Sequence, residues 1–282
     1  KAAVLRALTS RVECMRGSVR VSRVSRRRES ATSPRKPATS RPVELLTLDP
    51  LILAFALLVT VIAATVQGTV GFGFGIVSVP VLLLVDPRLA PVAQLCVQLP
   101  LSCLMLYRER EHADLKSVAF MTLGRLPGTA VGMLLIAVPE AARNGVIGTI
   151  TLAAVALLST SRKVARTRRT EAAAGFFSGA ADYLSAMGGP PLALLYKDDN
   201  GPTVRASLAL AFTVGNVMTL AGRLGRSDYT ALDVQLGAFL LAPTVLGLWL
   251  SRFLMGRVEG RPLRIAILTI SGACAVALLA KS

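Results

Sequence analysis

The stretch Gln67-Gly68-Thr69-Val70-Gly71-Phe72-Gly73-Phe74-Gly75 interrupts an apolar run that extends from Leu51 to Val85. In a helix each glycine costs roughly 1 kcal/mol relative to alanine. Glycines at 68, 71, 73 and 75, with Pro80 beyond them, therefore open the helix. At 35 residues the run is too long for one straight crossing, for which about 20 suffice. Either a crossing helix is followed by a short half-helix, or the segment is re-entrant. Inside a bilayer an opened backbone is tolerable only against protein or a water-filled cavity. The break is thus the first candidate for a binding site.

A second break follows at Ser178-Gly179-Ala180-Ala181-Asp182-Tyr183-Leu184-Ser185-Ala186-Met187-Gly188-Gly189-Pro190-Pro191. A shift of 111 residues places Gly68 on Gly179, Pro80 on Pro191 and Pro91 on Pro202. Matching Gly/Pro-interrupted apolar segments in two halves mark transporter sites. Close helix packing through small residues is the simpler account of any one glycine.

The charge pattern agrees with a membrane protein. The net charge of +16 over 282 residues invites a nucleic-acid partner. The charges of the main body, however, sit in short loops between apolar runs, so the expected partners are a lipid bilayer and a small anionic substrate, with no nucleic acid. A homo-oligomer is compatible with the sequence. Residues 1–45 form a basic tail, with twelve Lys/Arg against Glu13 and Glu29 in residues 1–42. That composition predicts disorder; a transit peptide or a lipid-attracted arm are the other readings. Cys14, Cys96, Cys103, Cys274 and the single His112 form no metal-binding or redox spacing. No cofactor is expected, and no catalytic set can be assembled around one loop histidine.

The fold expected is an all-α integral membrane protein of about eight transmembrane segments, arranged as two four-segment repeats, each opened by a glycine-broken helix. Residues 46–161 make the first repeat and 172–282 the second. The basic connection 162–171 between them is cytoplasmic by its charge.

Two charges fall inside apolar segments. Arg125 lies near the middle of the third, where a cation costs at least about 2.5–3.5 kcal/mol on insertion scales and is a functional hypothesis by default. Its planar fork suits sulfite, sulfonate or carboxylate oxygens. Asp182, in the second break, is its expected partner in a structural pair. Both roles are compatible, because a substrate anion can displace the carboxylate, and Asp182 can take up a proton as Arg125 is released. Half-helix N-termini near Ile76 and Pro190 are expected to present N–H groups to an oxyanion. The substrate-binding set is Gln67, Gly68, Gly71, Gly73, Gly75, Gln98, Arg125, Ser178, Gly179, Asp182, Ser185, Gly188, Gly189, Pro190 and Asn216. Phe72 and Phe74 are candidate gates.

Three pieces carry a family resemblance. They are Gly68-Thr69-Val70-Gly71-Phe72-Gly73-Phe74-Gly75 with Pro80, Arg125-Leu126-Pro127-Gly128-Thr129-Ala130-Val131-Gly132, and Ser178-Gly179 followed by Gly188-Gly189-Pro190-Pro191. From Leu46 to Leu279 the chain resembles the sulfite exporter TauE/SafE family. The resemblance implies a multi-pass secondary transporter in the cell membrane for sulfite, sulfonates, thiosulfate and related anions, rather than an enzyme. Ala180-Ala181-Asp182-Tyr183 departs from the glycine-rich pattern of such a second break. A passive anion channel and a non-transporting membrane partner subunit are the alternatives.

Overall fold

Asp49 starts the first helix. Its carboxylate accepts a hydrogen bond from Leu51 N at 2.8 Å, and Pro50 fills the first turn, where a missing N–H is harmless. Helix α1 (Pro50–Val70) runs without a charge to Gly71, at φ 98°, and Gly73 follows at φ 118°. Glycine takes these left-handed conformations without steric cost, so the helix ends inside the glycine-rich stretch. Beyond it come α2 (Phe74–Val85), a 3₁₀ turn at Pro87–Leu89, α3 (Val92–Glu109), α4 (Leu115–Leu135) and α5 (Glu140–Ser159). Helix α6 (Arg168–Ser185) leads to the second break, then α7 (Gly189–Leu195), α8 (Gly201–Arg226), α9 (Ala231–Phe239) and α10 (Leu241–Leu254). This is a computed structural model that describes residues 48–136, 140–159, 164–196, 199, 201–255, 269, 271–277 and 279–280, with only the backbone of 140–144. All of them belong to one unit, 43–282. The basic tail, part of the connection 160–163 and residues 256–268 lie outside the described residues.

Among the described residues there is no strand. Among these residues five stretches are long and apolar enough to cross a membrane: Pro50–Val70, Pro87–His112, Leu115–Leu135, Gly201–Arg226 and Ala231–Leu254. The sequence predicts eight. The difference has physical causes. Helix α2, at 12 residues, spans only about 18 Å at 1.5 Å per residue. Helix α6 carries Arg168, Arg169, Glu171 and Asp182, and begins inside the connection expected over 162–171 because Thr167 and Thr170 cap each other reciprocally. The last segment is only partly described. The apolar stretch Ala231–Leu254 is two helices, divided at Leu240.

Polarity is distributed inside out. Leu51, Leu58, Leu123, Leu134, Phe177 and Phe253 are exposed, whereas Thr60, Gln67, Gln98, Arg125, Asp182 and Asn216 are buried. An apolar exterior of this extent marks a surface built for another phase.

Helix directions follow from the contacts. Helices α3 and α8 are antiparallel, tied at one end by Arg205–Glu109. Call this the far end, and the start of α3 the near end. Helix α10 reaches the far end, where Ser251 meets Arg108, and α1 runs beside it in the same direction, with Gly247 on Val61 and Gly68 on Ser251. Helix α2 returns toward the near end, because it feeds the turn that starts α3. Helix α4 begins at the far end, where Asp114 N donates to Ser207 Oγ at 2.9 Å, and α6 runs parallel to it. Thus α1 rises toward the far end and α6 descends from it.

The α4–α6 seam explains three glycines in α4. A Cβ on Gly124 would lie 1.9 Å from Ala172 O, on Gly128 2.0 Å from Phe176 O, and on Gly132 2.8 Å from Tyr183 Cβ. Backbones approach this closely only where side chains are absent. Gly124→Ala is expected to lower the unfolding temperature in detergent and to cost about 1–3 kcal/mol by overpacking. An unchanged unfolding temperature would contradict the seam.

Candidate functional site

The two breaks meet. A Cβ on Gly75 would lie 2.1 Å from Ala186 O, so the first break packs against the backbone of the second. Gln98 Nε2 donates to the same Ala186 oxygen at 2.9 Å. Gln67 spans its own break, its Oε1 accepting from Phe74 N at 3.0 Å. The second break turns through Ala186 at φ 56°, not through a glycine, which costs roughly 1–2 kcal/mol for an L-residue. Ala186→Gly is therefore expected to raise stability by up to about 1 kcal/mol, less than the strain because glycine loses more entropy on folding. Thermal unfolding in detergent reads this, and destabilisation would show the turn is unstrained.

Arg125 and Asp182 face each other in the interior, with side chains 3% and 1% exposed and Nη2–Oδ2 at 2.6 Å. Arg125 Nη1 donates to Ser178 Oγ at 2.9 Å, and that hydroxyl donates onward to Gly188 O at 2.6 Å. Thr219 Oγ1 donates to Asp182 Oδ2 at 2.9 Å, and Gly188 N reaches Oδ1 at 3.4 Å. The carboxylate is thus held by a guanidinium, a hydroxyl and a backbone N–H, the donor set an oxyanion needs. Glycines make room for it. Gly179 lies against the Arg125 backbone, and a Cβ on Gly215 would sit 2.1 Å from Arg125 Cζ.

Spare hydrogen-bonding capacity surrounds the pair. Among the described residues, Arg125 Nε, Thr129 Oγ1 and both polar atoms of Asn216 are buried without a partner. Buried polar groups left unpaired in this way are unusual and call for an explanation. Asn216 sits on α8 between Phe212, which neighbours Gly189, and Thr219, which holds Asp182. It directly follows the guanidinium-facing Gly215, and is level with Gln98, since each is eleven residues from the Arg205–Glu109 tie.

The structure gathers Gly75, Gln98, Arg125, Ser178, Gly179, Asp182, Gly188 and, across the break, Gln67. Gly189 and Pro190 begin α7 beside Phe212 and Phe72. Three candidates lie apart. Ser185 Oγ bonds within its helix to Ala181 O, Gly68 packs on Ser251, and Gly71 packs on Arg205. The expected open N–H groups are partly taken, because Gln67 holds Phe74 N and Asp182 reaches Gly188 N.

Two features escape sequence reasoning. At the far end Arg108 donates to Gly68 O at 3.0 Å and Arg205 to Thr69 O at 3.5 Å, with Glu109 between the two arginines. These cations meet the carbonyls at the end of α1, where the helix dipole favours positive charge. At the near end Arg223 Nη2 donates to Tyr183 O, near the end of α6. Each broken helix thus ends on arginine. The arginines flank apolar runs, so sequence alone assigns them to loops; Thr219 carries no signal at all.

The family model described as sulfite exporter TauE/SafE matches residues 56–278. The chain belongs to this family. No curated protein and no solved structure matches it. Membership, with the apolar helices, makes this TauE/SafE protein an integral membrane transporter of the sulfur-anion class.

Proposed function

We propose that this TauE/SafE protein carries a small sulfur-containing or organic oxyanion through the junction of its two breaks by secondary transport. The Arg125–Asp182 cluster supports this most directly, because an internal carboxylate occupies a cradle suited to a substrate oxyanion. The substrate displaces Asp182 and takes the Arg125 fork, and Asn216, Thr129 and Arg125 Nε supply the remaining bonds. Asp182, deprived of its cation in a dry site, then accepts a proton, which couples transport to a proton gradient.

The opposed directions of α1 and α6 support an inverted repeat, as in many secondary transporters. Among internal connections, the far end holds Arg108, Arg110, Lys116, Arg166, Arg168 and Arg169. Arg88, Arg223 and Arg226, with Arg143 by its place in the sequence, belong to the near end. Positive charge on cytoplasmic loops therefore favours a cytoplasmic far end.

The test is uptake of [35S]sulfite by liposomes containing the purified chain under an imposed proton gradient, with sulfonates, thiosulfate and carboxylates as competitors. Gradient-driven, competitor-sensitive uptake is expected. Absence of uptake of every anion, from protein that is folded and inserted, would reject the reading.

A further inference from the structure

At the near end a cavity of about 680 Å³ lies between the 3₁₀ turn before α3, the end of α6 and the α8–α9 connection. Arg88, Arg223 and Arg226 line it, together with Asp228 and Asp233. Arg88 and Arg226 are paired with carboxylates, and Asp233 is hydrogen-bonded by the cap of its own helix. Asp86 binds Arg88 at 2.7 Å, and the hydrogen bonds from Arg88 hold the Asp86 carboxyl below the usual carboxylate range. Asp228 accepts from Arg226 Nε at 3.2 Å and from the Tyr183 hydroxyl at 3.3 Å. Asp233 accepts from Thr230 N and Oγ1 at 2.8 and 2.6 Å as the cap of α9.

Among the arginines, Arg223 is the exception. Only 3% of the residue is exposed. Among the described residues no carboxylate forms an ion pair with it. Among the same residues its hydrogen bonds go to two backbone oxygens, Tyr183 O and Asp228 O, its charge rests 4.8 Å from the Tyr183 ring, and its Nε has no partner. A guanidinium carries five donors. Asp182, Asp228 and Asp233 act on it only at longer range; a guanidinium buried without a directly paired carboxylate is costly, and a cavity lies beside it.

We propose that this cavity is a second oxyanion site, in which Arg223 binds the sulfur anion on its way to or from the buried Arg125 cluster. The inference rests on the transport reading above. Arg223 holds the carbonyl of Tyr183, the residue after Asp182, so an anion that draws Arg223 toward itself loosens the strand of backbone that positions the Asp182 carboxylate. Arg226 shields the cavity mouth through Asp228 and adds a second, weaker attraction. The ligand class is a small tetrahedral or pyramidal sulfur oxyanion, which the volume accommodates with its water.

The experiment is equilibrium dialysis of the purified full chain with [35S]sulfite. The wild type is expected to bind two equivalents. Arg125→Gln should leave one, and Arg125→Gln with Arg223→Gln none. A single equivalent that vanishes with Arg125→Gln and ignores Arg223→Gln would overturn the second site and leave the transport reading intact. No sulfite bound at any concentration would overturn both. Because Arg223 also supports Tyr183 O, a probe that leaves Arg223 in place keeps the proposal testable if Arg223→Gln fails to fold. Tyr229→Cys places a thiol on the cavity wall. Above the background of the native thiols, it should react at least tenfold faster with an anionic methanethiosulfonate (MTSES) than with a cationic one (MTSET). Sulfite itself attacks such reagents, so protection is read with methanesulfonate, which should slow the anionic reaction. Equal rates for the two reagents, or no protection, would overturn the proposal.

Discussion

Arg125→Ala is expected to abolish sulfite uptake and to destabilise the protein by about 3–5 kcal/mol, the cost of leaving one member of a buried ion pair alone. The stability loss by itself proves little, since a purely structural pair gives the same result. The double variant Arg125→Leu with Asp182→Leu separates the roles. Replacing both charges with apolar groups removes the orphaned carboxylate, and such replacements are often neutral or stabilising. Stability should therefore recover while uptake stays at background, because the cradle of Ser178, Thr219 and Gly188 N has lost its cation. Arg125→Lys adds a finer reading. It keeps the charge but loses the fork, and a tenfold or greater fall in rate, equivalent to about 1.4 kcal/mol of barrier, is expected. Uptake restored in the double variant would make the pair structural and move the substrate elsewhere.

The sequence carries the first break in full. Positive φ at Gly71 and Gly73 and the close approach at Gly75 are demands that glycine alone meets easily, so the composition itself announces the place. The second break is read less well. Its left-handed residue is Ala186, which looks like any helix former, and only Gly188-Gly189-Pro190-Pro191 signals the turn. Consequently α2 begins at Phe74 and α7 at Gly189, an offset of 115 residues, not the 111 that aligns Gly68 with Gly179. The Arg125–Asp182 pairing is legible because charges inside apolar segments are few and need each other. The arginines on the ends of α1 and α6 are not, because a cation at a helix flank reads the same whether it faces water or a neighbouring carbonyl. The contact of one break with the other is a tertiary fact that neither stretch encodes by itself.

That contact carries the second large prediction. A Cβ at residue 75 would lie 2.1 Å from Ala186 O and 3.1 Å from Ala186 C, atoms of a backbone that Gln98 also holds. Gly75→Ala therefore forces the breaks apart by about 1 Å or more to reach ordinary contact distances. Ala186 is four residues from Asp182 and two from Gly188, so the displacement passes directly into the donors around the carboxylate. Misplacement of this size costs on the order of 10²-fold in a site that depends on alignment, and a fall of that order in sulfite uptake is expected. Gly225→Ala is the matched control, since a Cβ there meets no heavy atom within 4 Å; it should transport like the wild type. Thermal unfolding of both variants distinguishes a displaced site from a collapsed one, because overpacking at a single contact costs about 1–3 kcal/mol and leaves a protein with this many other helix contacts folded. If Gly75→Ala transports normally while remaining folded, the two breaks do not act as one site, and the anion passes through the Arg125 cluster without the first break's help.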